Sequence, residues 1–150
     1  MRTNIHIQAE DFDVSDEIEA LVADDPAAGA VANFVGLVRG GDGLGALTLE
    51  HYPGMTEREI AKIVAEAAAR WQLCGVTVIH RVGRLEVGGR IVLVAVAAAH
   101  RGSAFEACAF VMDYLKTRAP FWKREERDGK AQWVESRTSD DAAAERWRKT

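Results

Sequence analysis

At 150 residues, with 48% hydrophobic and 28% charged side chains, the chain has the composition of one soluble globular domain, 1–150, with a sizeable core. A formal net charge of −4 argues against a surface that attracts nucleic acid as a whole, and no apolar signal core follows Met1. The longest apolar run, IVLVAVAAA at 91–99, is about half of what a helix needs to span a bilayer, so a cytoplasmic protein with no membrane role is expected.

Alternation at Ile5 and Ile7 predicts a first strand, and Ser15 precedes a short amphipathic helix carrying Ile18, Leu21 and Val22. GAVANFVGLVR at 29–39 predicts a strand, and ALTLEHY a second one, with GDG between them as a hairpin signal. Thr56 and Glu59 have capping-box spacing ahead of a helix whose stripe is Ile60, Ile63, Val64, Ala67 and Trp71. CGVTVIHRVG and RIVLVAVAAAH predict two strands joined through Gly88-Gly89, the second apolar enough to be central and covered on both faces. Ser103 with Glu106 predicts another capped helix, ending near Arg118 because Pro120 cannot continue it. Short strands over 121–124 and 132–135 and a last helix near 140–148 complete the order β-α-β-β-α-β-β-α-β-β-α. That order implies an α+β fold, a mixed sheet with helices packed on it.

Chemistry concentrates at element ends. In the helix opened by Ser103, a 100° step aligns Phe105, Cys108, Ala109, Met112 and Leu115, and places Lys116 near the middle of that stripe. The bland reading is a lysine that favours the helix dipole and snorkels outward. The sharper one is that the apolar face ends at a cleft walled by Lys116. After Pro120, alternation puts Phe121 and Lys123 on one side of an extended segment, Trp122 and Arg124 on the other, so Lys123 can return towards Lys116. His100 and Arg101 stand where a buried strand meets a helix N-terminus, a position suited to an anion. Arg39 closes a strand before a glycine-rich loop. If Arg39, His100, Arg101, Lys116 and Lys123 converge, they describe a pocket for a small polyanion. Cys74 and Cys108, with no CxxC and no close histidine pair, leave no disulfide scaffold and no recognisable zinc site.

LTLEHYPGMTE, VTVIHRVGRLEVGG, AAAHRGSAFEA and MDYLKTRAPFWKRE, in this order, resemble the large, catalytic subunits of molybdopterin synthases over essentially the whole chain. The resemblance implies an α/β-hammerhead-type fold and a sulfurtransferase. Its substrate would be the cyclic pyranopterin monophosphate precursor Z, converted to molybdopterin by insertion of two sulfurs as a dithiolene. It implies a small ubiquitin-like partner ending in a Gly-Gly thiocarboxylate as sulfur donor, and a homodimer of large subunits forming a heterotetramer. No metal and no cofactor are implied. Lys116 and Lys123 match active-site lysines, His100 and Arg101 match substrate-anion contacts, and Arg39 matches a pocket arginine contributed within or across the dimer. Val38 and Arg124, beside Arg39 and Lys123, join the substrate-binding set. Two departures stand out: Leu37 where relatives commonly carry lysine, and a glycine-heavy loop, GGDGLG, shorter than usual. Two other readings remain open at this level. A non-enzymatic module could use the basic pocket to hold a phosphorylated ligand or an RNA end. A ligand-free homodimeric scaffold would leave His100, Arg101, Lys116 and Lys123 apart.

Overall fold

The computed structural model describes residues 1–134 and 138–149. In chain order these form β1 (Arg2–Gln8), α1 (Val14–Val22), β2 (Ala30–Leu37), β3 (Leu44–His51), α2 (Met55–Arg70), β4 (Gly75–Arg81), β5 (Gly83–Glu86), β6 (Arg90–Ala98), α3 (Arg101–Arg118), β7 (Phe121–Arg127), β8 (Lys130–Val134) and α4 (Thr138–Glu145), followed by a 3-10 turn over Arg146–Lys149. The strand expected to reach Glu135 runs to Val134, and position 135 lies outside the described residues.

The strands make two four-stranded sheets, ordered β1-β4-β6-β2 and β5-β3-β7-β8. In the first, β1 runs parallel to β4 while β4–β6 and β6–β2 are antiparallel, so the sheet is mixed. The apolar run in β6 is buried from Val92 to Ala98, as expected of a central strand. Its alternate residues serve two cores. Val92, Val94, Val96 and Ala98 pack with Ile60, Ile63, Val64 and Ala67 of α2 and with Ala107, Val111 and Leu115 of α3. Leu93, Ala95 and Ala97 pack on the opposite face with Phe12 and Leu21. Cys108 belongs to the first core. Its Sγ lies 3.7 Å from the Val94 carbonyl, to which it donates, and burial pushes the thiol up to about 11. No described helix is long and apolar enough to cross a membrane.

Several local expectations are corrected. β2 and β3 do not form a hairpin. They belong to different sheets, β2 paired with β6 and β3 with β5 and β7, and only an isolated Gly41–Leu44 bridge marks the glycine loop. The segment after β4 is itself a strand, β5, which crosses to the second sheet and pairs with β3. α1, α2 and α3 each start before the residue expected to open them. Asp13, not Ser15, caps α1 by accepting from the Asp16 amide. α2 begins after Gly54, whose amide donates to Glu57. α3 begins after His100, which leaves Ser103 inside the first turn. Phe105 is 64% exposed, while Cys108, Met112 and Leu115 of the expected stripe are buried together with Ala104, Ala107, Phe110 and Val111.

Candidate functional site

A cleft of about 490 Å³ opens where the end of β2, the last turn of α3 and one face of the second sheet meet. Strand alternation decides which β7 residues reach it. Phe121, Lys123 and Glu125 pair in register with His51, Leu49 and Leu47, and all three line the cleft with Arg127. Helix α3 arrives from the other side. Pro120 follows its C-cap, Ala119, so Lys116 in its last turn and Lys123 beyond the turn enter the same cleft. Lys116 is an exposed residue at this edge, not a member of the buried stripe.

Thr56 fixes the corner between them. Fully buried, its hydroxyl donates to the Pro120 carbonyl at 3.0 Å and accepts from the Tyr52 amide at 2.9 Å. The start of β7 is thereby tied to the start of α2.

Arg39 and Val38 line the same cleft. Val38 is buried, and its backbone exchanges hydrogen bonds of 2.9 and 2.8 Å with Gly89 and Gly88, which anchors the root of the glycine loop. The loop then turns through φ of 110° at Gly41, 52° at Asp42 and 78° at Gly43. Gly43 is needed for its conformation and for space, since a Cβ there would stand 2.5 Å from the Asp128 carboxylate. Arg127 closes the arrangement, donating from Nη1 to the Asp42 carbonyl and from Nε to Glu125, each at 2.8 Å. Glu125 is 8% exposed, so this ion pair is largely shielded.

His80, at the end of β4, forms part of the cleft wall. Its ring stacks on Phe121 with centroids 3.7 Å apart and planes 17° from parallel. Nδ1 lies 2.9 Å from the Arg81 carbonyl, which can only accept, so Nδ1 carries the proton. Burial first, then the charges of Lys116 and His51, pull the ring down to about 4, against the raising effect of that backbone bond. The imidazole is neutral at neutral pH.

Of the residues singled out in the sequence, the structure brings Arg39, Val38, Lys116 and Lys123 to one cleft and leaves three elsewhere. Arg124 projects from the other face of β7, its guanidinium 5.8 Å from the Trp133 ring and its buried Nε without a hydrogen-bond partner. His100 and Arg101 are exposed at the opposite end of α3. At about 1.5 Å per residue, Arg101 is roughly 22 Å along the axis from Lys116. Sequence reasoning missed His80, Glu125 and Arg127. Alternation through VTVIHRVG sets His80 opposite the buried Ile79, but nothing local marks which face would meet β7. Among the described residues no cluster of His, Cys, Asp and Glu is placed to hold a metal ion.

Residues 7–118 match the family described as MoaE protein. A molybdopterin synthase catalytic subunit from Pseudomonas aeruginosa is 54% identical over 146 residues, covering 95% of this chain and 97% of its own. The solved structure of a molybdopterin biosynthesis MoaE protein from Burkholderia ambifaria is 53% identical, with a TM-score of 0.85 over 99% of both chains. That of a molybdopterin synthase from Staphylococcus aureus is 29% identical, with a TM-score of 0.79 over 86% of this chain and 95% of its own.

Proposed function

This chain belongs to the MoaE protein family, and from that premise we propose that it is the catalytic subunit of a molybdopterin synthase, with its active site in the cleft between α3 and β7. The reaction is insertion of two sulfurs, as a dithiolene, into the cyclic pyranopterin monophosphate. The donor is the C-terminal thiocarboxylate of a small ubiquitin-like partner. The observation that carries the placement is the meeting of Lys116, Lys123 and Arg39 on one cleft in a chain of net negative charge.

Each role follows from position. The thiocarboxylate and the cyclic phosphate are both anions, and the cleft offers three cationic side chains to hold them. Lys116, at the exposed edge, acts on the carbonyl of the entering tail, as general acid or base or through a transient covalent link. Lys123, on the cleft face of β7, offsets developing negative charge and holds the phosphate with Arg39. Every sulfur delivered leaves the donor as a carboxylate, its new oxygen supplied by water. The protein's own cysteines take no part, because the sulfur arrives on the partner.

His100 and Arg101 are too far from Lys116 along α3 to touch a ligand held by the lysines of their own chain. Their assignment as anion contacts therefore places them in a homodimer, where the α3 N-terminus of one protomer completes the cleft of the other. Arg124, on the far face of β7, has no part in holding substrate in its own cleft.

The test is reconstitution: purified chain, thiocarboxylated partner and precursor are mixed and dithiolene product is measured. Lys116→Ala abolishes product while partner binding survives. Turnover by that variant at near wild-type rate would remove Lys116 from the catalytic assignment.

A further inference from the structure

Among the side chains that line the cleft, the cations donate and neutral acceptors are few. Arg39, Lys116 and Lys123 can only donate when charged, and Glu125 is already engaged by Arg127. Asp42 and Asp140 also line it, as carboxylates that repel an anionic ligand brought close to them. His80 is different. Its Nδ1–H is committed to the Arg81 carbonyl and its ring is clamped flat on Phe121, so its orientation is set by two independent contacts. Nε2 then carries the lone pair, and among the described residues no hydrogen bond occupies it.

We propose that His80 is a substrate-binding residue whose Nε2 accepts a hydrogen bond from a ring N–H or amino donor of the pterin. The proposal rests on the pterin substrate assigned above. A pterin presents an amide-type N–H and an exocyclic amino group, which cationic side chains cannot satisfy. A pocket built only of lysine and arginine would hold the phosphate and leave these donors unmet when water is displaced. Lys116 from α3 and His51 from β3 are the titratable groups that act on His80, and with burial they keep the imidazole uncharged at neutral pH. It therefore serves as a fixed acceptor, not a proton shuttle.

Two substitutions separate the nitrogens. His80→Asn retains a donor for the Arg81 carbonyl and removes the acceptor, whereas His80→Gln carries an amide oxygen out to the Nε2 position. In reconstituted turnover, His80→Asn should raise KM for the precursor about tenfold with kcat within about threefold of wild type, and His80→Gln should restore KM to within about threefold. An Asn variant with wild-type KM, or a Gln variant as impaired as the Asn one, overturns the assignment. If melting shows that the Asn variant does not fold, His80→Phe, which keeps a flat ring against Phe121, takes its place with the same expectation. A wild-type chain that makes no product overturns the reaction itself. In that case calorimetric binding of the precursor to wild type and variant decides whether His80 accepts from it.

Discussion

Among the described residues, Asp11 and His80 both make the fold sensitive to acid, with the same sign for different reasons. Asp11 accepts from Arg90, its Oδ2 2.7 Å from Nη2, and from the Phe12 amide, and these bonds hold its carboxyl at about 2 against an ordinary 3.8. The unfolded chain takes up that proton first as pH falls, so the stabilisation is present above about pH 4 and lost towards pH 2. The side chain is half exposed, so solvent screens most of the effect. His80 works as a base held neutral. Its folded value of about 4 lies below the ordinary 6.5, so the unfolded state binds its proton first and stability falls between about pH 6.5 and pH 4. Melting temperature followed from pH 7.5 to 4.5 should fall with acid in the wild type and less steeply in His80→Gln. Asp11→Asn should leave the slope over this range unchanged and flatten it only where melting is followed on from about pH 4 to pH 2. Equal slopes for wild type and His80→Gln would mean that the ring is not kept neutral by its surroundings.

At the scale of elements, the corner between α3 and β7 depends on a side chain whose own helix does not need it as a cap. Thr56→Val keeps the volume but strands the Tyr52 amide and the Pro120 carbonyl, both otherwise bonded to the hydroxyl. A loss of about 1–3 kcal/mol is expected, read as a lower denaturation midpoint, with turnover reduced further because β7 carries Lys123. This residue also shows what the sequence reveals and what it conceals. Thr56 and Glu59 have capping spacing, yet the helix starts earlier, at Gly54 and Glu57, because the threonine hydroxyl is taken by a partner 64 positions away. Helix cores were legible because burial imposes a 3.6-residue period whatever the partner, as Ile60, Ile63, Val64 and Ala67 demonstrate. The hairpin read from GDG was not. The loop's positive-φ residues do turn the chain, but β2 is drawn to β6 and β3 to β7 by non-local pairing that no short window contains. In the site, Lys116 and Lys123 were legible because Pro120 couples a helix end to a strand start locally. His80 was hidden because its stack on Phe121 joins two sheets.

For the molecule as a whole, the proposal that the site takes its lysines from one protomer and His100 with Arg101 from another can be tested by complementation. Homodimers of Lys116→Ala and of Arg101→Ala should both be inactive. A mixed dimer has one cleft with Lys116 intact, served by the intact Arg101 of its partner, so co-expression should recover activity that neither variant shows alone. Failure to recover any would mean that Arg101 serves no cleft across the dimer. The burial of Cys108 has a bearing on fidelity. A protein that hosts a thiocarboxylate risks losing its sulfur to any nearby thiolate, which would attack the acyl carbon, form a thioester and release the sulfur as sulfide. Cys108 is shut in the core, holds its proton far above neutral pH and faces a carbonyl instead of the cleft. Buried Cys108 thus offers the donor's acyl carbon no competing nucleophile, and its sulfur is not shed as sulfide before it meets the substrate.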